Sequence, residues 1–160
     1  MIKKPIREKQ HQLDPELYKG ERPISFTLCI KNKTEFFVNT DRFNLFEIIL
    51  LNELKNFDCL APIYLFMPDH LHMILRGNNS DSDIKKCLDM FKQKSGYLLS
   101  KKFPDIKWQK DYYDHILRSE ENLYIRIRYI LNNPVRAELV KHWNQYPYKG
   151  STLYNLNKWD

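Results

Sequence analysis

The sequence predicts an α+β domain in which an antiparallel sheet carries helices packed mainly on one face. Segments rich in β-branched and aromatic residues alternate with segments of helical periodicity, in the order β, α, β-hairpin, α, β, α. The chain has 160 residues, the size of one ordinary domain. Its composition, 42% hydrophobic and 29% charged, is typical of a folded globular protein and not of a disordered one.

The first half of the predicted domain begins after a polar segment. Residues 1–22 are predicted to be a basic arm with one helical turn near Pro15. Residues 24–30 are β-rich and predict the first strand. A helix is expected over 42–55, capped by Thr40 or Asp41.

A β-hairpin and a second helix are predicted next. The two strands cover 61–76 and are joined by a tight turn at Pro68-Asp69. Apolar residues at helical spacing then predict an amphipathic helix over 80–101, which Pro104 ends. Those apolar positions are Ile84, Cys87, Leu88, Phe91 and Leu98.

The last third of the chain predicts a short strand near 115–117 and a helix from about 120 to 133. Pro134 should end or bend that helix, because the residue before a proline disfavours the α region. One more short helix over 135–142 and an irregular aromatic tail from 143 complete the prediction. As domain boundaries we expect an arm at 1–22, one domain at 23–150 and a C-terminal tail at 151–160.

The charge of the chain points towards an anionic partner. The net charge is +6 and the pI about 9.1, and nucleic acid is the commonest partner of a basic domain of this size. The N-terminus lacks the apolar core of a signal peptide and no apolar run approaches transmembrane length, so we expect no membrane association and a cytoplasmic location. Cys29, Cys59 and Cys87 lie far apart among apolar residues and are expected to be buried free thiols.

His70 and His72 are the first residues that indicate chemistry. They lie two apart in a predicted strand, so both imidazoles project from the same sheet face. Neutral imidazole is a common metal ligand, and the pair can form half of a divalent-metal site. Two histidines on a solvated sheet face are the alternative.

Tyr129 is the second such residue. In the helix over 120–133 it falls on the side opposite the apolar stripe. Asn133 and Arg126 are its i+4 and i−3 neighbours, so a phenol, an amide and a guanidinium share one polar face. The alternative is an ordinary exposed helix face.

Taken together, these segments resemble a known family. Met67-Pro68-Asp69-His70-Leu71-His72-Met73-Ile74-Leu75 resembles the signature strand of HUH-type single-tyrosine transposases, in which two histidines flank one hydrophobic residue. Three later segments are similar to the branch of REP-associated tyrosine transposases. They are Trp108-Gln109, Tyr113 to Arg118, and Tyr129-Ile130-Leu131-Asn132-Asn133-Pro134-Val135-Arg136-Ala137.

The resemblance implies a ferredoxin-like core, Mg²⁺ or Mn²⁺ bound by His70 and His72, and Tyr129 as the nucleophile. Asn133 stands where related insertion-sequence enzymes have a glutamine ligand, so it is the expected third ligand. The implied activity is cleavage and rejoining of single-stranded DNA with palindromic hairpin repeats through a 5′-phosphotyrosine link. The implied setting is the bacterial nucleoid, and a homodimer is a further possibility.

Several other side chains are predicted to contact the DNA. Candidates for phosphate contacts are Arg118, Arg126, Lys92 and Lys94. Trp108 and Tyr112 can stack on unpaired bases, with core packing as the alternative for the tryptophan.

Three alternative functions remain open from the sequence. An RRM-like nucleic-acid-binding module would carry aromatics where His70 and His72 stand. A replication initiator or relaxase of the HUH group would use the same chemistry, usually in a longer chain. A transposase that binds repeat hairpins but no longer cuts them is compatible with Asn133.

Overall fold

A computed structural model describes residues 13–159, and within them five strands form one antiparallel sheet. Across the sheet the order is β4-β1-β3-β2-β5, which places β3 in the centre. This arrangement with its helices confirms the predicted α+β class. The strands are β1 (Ile24–Ile30), β2 (Cys59–Met67), β3 (His70–Gly77), β4 (Trp108–Ile116) and β5 (Lys149–Gly150). The helices are α1 (Thr40–Asn56), α2 (Ile84–Lys102), α3 (Glu120–Leu131) and the one-turn α4 (Asn133–Arg136).

The two long helices α1 and α2 pack together on one face of the sheet. Their apolar sides cover strand residues that alternate along β1, β2 and β3, as the period of a strand requires. The fully buried strand residues of this first core are Ile24, Phe26, Leu28, Ile30, Ala61, Phe66, Leu71, Met73 and Leu75. A ring cluster of Phe36, Phe37, Phe46 and Phe103 extends it.

The third helix, α3, packs on the opposite face, above β2 and β3. Leu123, Ile127, Ile130 and Leu131 point down from it onto Ile63, Leu65, Met67 and Ile74. Trp143 and Tyr146 close this second core from the C-terminal side. The two long helices α1 and α2 therefore share one face, whereas α3 and the one-turn α4 lie on the face from which His70 and His72 project.

Local side-chain chemistry sets the helix ends. Asn39, and not Thr40 or Asp41, caps α1 by accepting the Arg42 N–H. Ser119 caps α3 through the N–H of Asn122. Pro134 does more than end α3, because it occupies the first turn of α4, where its missing N–H costs nothing.

The segments predicted as arm and tail contribute to the domain. Tyr18 is buried in the first core and its hydroxyl donates to Asp114, while residues 1–12 of the predicted arm lie outside the described residues. At the other end, the predicted irregular tail supplies β5, which pairs with β2. The predicted short helix over 135–142 is only the turn Asn133–Arg136. Within residues 13–159 no helix is long and apolar enough to cross a membrane.

Candidate metal centre and tyrosine site

His70 and His72 lie at the start of the central strand, on the α3 face. Their neighbours Leu71 and Met73 point into the first core, which fixes the opposite direction for the imidazoles. Both histidine side chains are half-buried. The predicted placement of the pair on one face is confirmed.

The two imidazoles point their Nε2 atoms at each other. The Nε2–Nε2 distance is 3.1 Å, and each Nδ1 is already engaged. Nδ1 of His70 donates to the Asp69 carboxylate at 2.6 Å, because an ionised carboxylate can only accept. Nδ1 of His72 lies 3.0 Å from the Thr27 hydroxyl, which can donate or accept. The outer nitrogens are held by protein, and the inner ones face a shared position.

This donor arrangement fits a divalent cation. Two ligands at about 2.1 Å and at right angles around one ion are separated by about 3 Å, close to the observed distance. A second partner on the far nitrogen is the usual way in which proteins orient a metal-binding imidazole. Within residues 13–159 no group of three or more His, Cys, Asp and Glu side chains is arranged to hold an ion. His70 and His72 would supply two imidazoles, and the Asn133 amide would be a neutral third donor.

The surroundings of His72 keep it neutral. Burial is the largest cause that lowers the pKa of His72 from 6.5 to about 3, and electrostatic interactions with His70, Arg126 and Arg136 act in the same direction. In the neutral range the ring therefore keeps one nitrogen with a free lone pair, as metal binding requires.

Asn133, the expected third ligand, does approach the histidines. Its Nδ2 lies 3.5 Å from Nε2 of His70, and its Oδ1 accepts from Arg136 at 3.4 Å. In this rotamer the amide presents its nitrogen to the site, and its oxygen is held by the arginine. Coordination through Oδ1 requires the amide to turn over and the Arg136 bond to break.

Tyr129 lies on the outer side of α3, with 51% of its surface exposed. Its position away from the apolar stripe is as predicted. The Arg136 guanidinium lies 3.7 Å from the ring centroid, and its Nη2 donates to the Tyr129 carbonyl at 2.8 Å. Arg126 lies 5.3 Å from the same ring on another side. Two arginines therefore surround the phenol and also contribute positive charge at His72.

Of the four predicted phosphate contacts, only Arg126 lies beside the histidines and tyrosine. Its Nε donates to the Ser25 hydroxyl at 3.3 Å. Arg118 lies just after β4, at the end of the sheet where Ile24 pairs with Ile116. His70 pairs with Cys29 at the opposite end of β1, so Arg118 is far from the histidines.

The remaining predicted DNA contacts lie on the face that α1 and α2 cover. Lys94 forms an ion pair with Glu53, whose carboxyl is only 1% exposed, so its charge already has a partner. Nζ of Lys92 donates to the carbonyls of Gln109 and Lys110. Phosphate contacts by these lysines stay predictions, but they would be separate from the histidine site.

Base stacking by Trp108 and Tyr112 is the prediction that the structure corrects. The Trp108 ring packs against Phe37, Phe46 and Phe91, and its indole N–H donates to Ser95 at 2.8 Å. Tyr112 is 7% exposed. Both side chains belong to the first core because residues 108 and 112 are an even number of positions apart in β4 and point to the same face of the sheet, the one that α2 covers.

Three residues of the site were missing from the predicted set. Asp69 and Thr27 orient the histidines, and Arg136 contacts both Tyr129 and Asn133. Asp69 directly precedes His70, which is a usable signal in the sequence. Thr27 reaches His72 only through strand pairing, and Arg136 only through the turn at α4, so neither was visible from spacing alone.

Comparisons with known proteins agree with this geometry. Residues 22–133 match the family described as IS200-like transposases. A Haemophilus influenzae protein provisionally named a REP-associated tyrosine transposase is 23% identical over 137 residues, which cover 74% of each chain.

Solved structures share the fold. The structure of a REP-associated tyrosine transposase bound to a REP hairpin superposes with a TM-score of 0.72 at 19% identity, over 82% of this chain and 78% of the other. A protein of Deinococcus radiodurans, provisionally named a transposase, gives a TM-score of 0.53 at 18% identity, over 70% of this chain and 90% of the other. Because the matched segment 22–133 covers more than half of the chain and includes His70, His72 and Tyr129, the protein belongs to the family of IS200-like transposases.

Proposed function

We propose that this protein cleaves and rejoins single-stranded DNA next to hairpin repeats, through a covalent 5′-phosphotyrosine link to Tyr129. The observation that carries the proposal is the pair of inward-facing Nε2 atoms of His70 and His72 beside a helix that presents an exposed tyrosine. Family membership supports a DNA substrate, and the hairpin bound by the structural relative supports a repeat hairpin as its form.

The covalent step needs no nucleotide cofactor. The Tyr129 oxygen attacks phosphorus, an O–P bond to tyrosine forms, and the bond from phosphorus to the 3′ oxygen breaks. The departing 3′ oxygen takes up a proton, and the phenol proton passes to a base or to water. Attack by a different 3′-OH on the phosphotyrosine reverses the step and joins new ends, with phenolate as leaving group.

The residues around Tyr129 position the nucleophile. Arg136 fixes the ring from one face and anchors the turn that follows α3, while Arg126 adds positive charge on another side. Two guanidinium groups at the ring can also receive the oxygens of the scissile phosphate, since arginine binds phosphate through a planar fork.

His70 and His72 would hold Mg²⁺ or Mn²⁺ through Nε2. When bound there, the ion supplies neutralisation of a non-bridging phosphate oxygen in the transition state. Imidazole suits Mn²⁺ better than Mg²⁺, which prefers oxygen ligands. We therefore expect Mn²⁺ to support the reaction at least as well as Mg²⁺.

The test is formation of a protein–DNA adduct that survives a denaturing gel. The purified protein is mixed with hairpins that carry single-stranded flanks, taken from repeats near its own gene, with Mn²⁺ or Mg²⁺. We expect an adduct with the unaltered protein and none with Tyr129→Phe or His70→Ala. Tyr124→Phe is the matched control, because Tyr124 lies on the same helix but stacks on Trp159.

Hairpin binding without cleavage is the second candidate, and the orientation of Asn133 favours it. In this rotamer the amide nitrogen faces His70, so only His70 and His72 would offer atoms that can hold an ion. Asn133→Asp separates the two functions, because a carboxylate presents oxygen in either orientation. If the unaltered protein binds hairpins without forming an adduct, and Asn133→Asp gains Mn²⁺ affinity and adduct formation, the natural protein is a binding protein.

A further inference from the structure

The face of the sheet that carries the histidines is covered unevenly. In the second core, the buried residues that come from strands belong to β2 and β3, namely Ile63, Leu65, Met67 and Ile74. Among the described residues, β1 and β4 contribute no buried apolar residue to that core. At Ser25, which is 2% exposed beneath Arg126, α3 still covers β1. The rest of the half formed by β1 and β4, from Thr27 and Tyr113 onward, lies beside α3, and we call it the uncovered half.

Polar and aromatic side chains line this uncovered half. Thr27 pairs with His72 on one side and with Tyr113 on the other, so the three side chains form a row across three strands. Tyr113 is 44% exposed, whereas the preceding residue, Tyr112, points to the opposite face of the sheet and is buried. His115, two positions along from Tyr113, is also exposed on this face.

Positive charge connects the row to the nucleophile. Arg126 reaches from the Tyr129 ring to the hydroxyl of Ser25, and Ser25 pairs with His115. The acidic Asp111 lies on the other side of Tyr113 along β4. An anionic strand leaving Tyr129 would therefore follow the Arg126 and His115 side of the tyrosine.

From this arrangement we propose that the uncovered half of the sheet binds the single-stranded DNA that adjoins the cleaved phosphate, with one base stacked on Tyr113. The inference rests on the proposed function and assigns a binding surface to its substrate. Neighbouring strands are about 4.8 Å apart, so Tyr113 lies about 10 Å from His72, a span that the first few unpaired nucleotides cover. An exposed ring on a sheet is a common stacking platform for unpaired bases and accepts any base.

Duplex DNA fits this surface less well. Stacking requires the face of a base, and in a hairpin stem both faces are already stacked on neighbours. The Tyr113 ring should therefore respond to the flank of a hairpin and not to its stem.

The test measures DNA binding without cleavage, in full-length protein that carries Tyr129→Phe and with EDTA present. The probes are a hairpin without flanks and the same hairpin with short single-stranded flanks, in which 2-aminopurine replaces successive bases. Tyr113→Ala is compared with Tyr113→Phe, which keeps the ring. Tyr97→Ala is the matched control, since Tyr97 is 65% exposed on α2, on the opposite side of the sheet.

We expect Tyr113→Ala to weaken binding of the flanked hairpin about 10-fold and to leave the bare hairpin unchanged. Tyr113→Phe and Tyr97→Ala should both retain the affinity of the parent. One flank position should show 2-aminopurine quenching that Tyr113→Ala alone removes. The inference is wrong if the flanks add no affinity to the parent protein, or if Tyr113→Ala and Tyr97→Ala behave alike.

The outcome is separable from that of the cleavage experiment. If the flanks add affinity through Tyr113 but the protein never forms an adduct, the binding surface is supported and the proposed cleavage is wrong. If the protein forms an adduct but Tyr113→Ala binds the flanked hairpin as tightly as its parent, the proposed cleavage is supported and the binding surface is wrong.

Discussion

His72 couples the folding of the metal-free protein to pH. Its pKa is about 3 when folded and returns to about 6.5 in the unfolded chain. Between these values the unfolded chain binds a proton that the folded one does not, so the free energy of unfolding falls as the pH falls below about 6.5. Between about pH 7 and 5, urea unfolding in EDTA should show a loss roughly 1–2 kcal/mol larger in the natural protein than in His72→Gln. Equal losses would contradict the assignment.

Arg136 should matter for the reaction more than for DNA binding. Arg136→Met removes the cation from the Tyr129 ring and the two hydrogen bonds that Arg136 donates to the Tyr129 carbonyl and the Asn133 side chain. We expect the rate of adduct formation to fall roughly 10- to 100-fold, because small displacements of a nucleophile are costly, while hairpin affinity falls less, by the loss of one phosphate contact. Gel quantification of adduct against time measures this rate.

Arg128→Met is the matched control for that experiment. Arg128 lies 5.7 Å from the ring of Tyr124 on the same helix and donates a hydrogen bond to its hydroxyl, whereas the arginines that act on His72 are Arg126 and Arg136. The variant should form adduct at the natural rate. If both methionine variants slowed the reaction equally, loss of helix stability, and not positioning of Tyr129, would be the cause.

At the scale of single residues, the sequence predicts what depends on periodicity. A period of two places His70 and His72 on one face, and a period of 3.6 places Tyr129 away from the core. A period of two also means that only one of Tyr112 and Tyr113 faces the first core, but the sequence does not show which of the two faces of β4 is buried there. The hydrophobic pattern of that strand is weak because its α3 side carries Asp111, Tyr113 and His115.

At the scale of elements, two glycines should respond in opposite directions to alanine. A Cβ at Gly77, at the end of β3, would lie 2.3 Å from the carbonyl oxygen of Gly20, so the backbone must move. A Cβ at Gly96, within α2, meets nothing within 4 Å. Gly77→Ala should cost roughly 1–3 kcal/mol, and Gly96→Ala should stabilise by up to about 1 kcal/mol. Thermal unfolding of both variants checks this, and a stable Gly77→Ala would contradict the close approach.

The elements were predictable where one face is strongly apolar. The periodic helices α1, α2 and α3 and the β2–β3 hairpin follow from the sequence to within a few residues. The strand β5 does not, because two residues are too short to show alternation and only pairing with Tyr64 and Leu65 defines them. The start of α4 could not be predicted, because a proline is found both after the end of one helix and in the first turn of the next, and Pro134 occupies both positions.

At the scale of the whole molecule, the site should be built from one chain. α3 buries its apolar side on strands of its own chain, so Tyr129 would act with the histidines of the same polypeptide. Mixing Tyr129→Phe with His70→Ala should therefore restore no adduct. Restored adduct in the mixture would show that two copies exchange their tyrosine helices.

The sequence does not predict which helices pack on which face of the sheet. Both cores draw on the same strands, and alternation alone does not say which face a distant helix will cover. The C-terminal residues Trp143 and Tyr146 look like an irregular tail because their contacts are with β2 and α3, far away in sequence.

The central position of β3 has a consequence for the order in which the protein opens. The amides of His70 to Leu75 are bonded to strands on both sides, whereas α3 rests on one face and ends at a turn. Hydrogen exchange should therefore be slowest in β3 and faster at the end of α3. The histidines would then keep their positions on the sheet for longer than the end of α3, which carries Tyr129, keeps its helical hydrogen bonds.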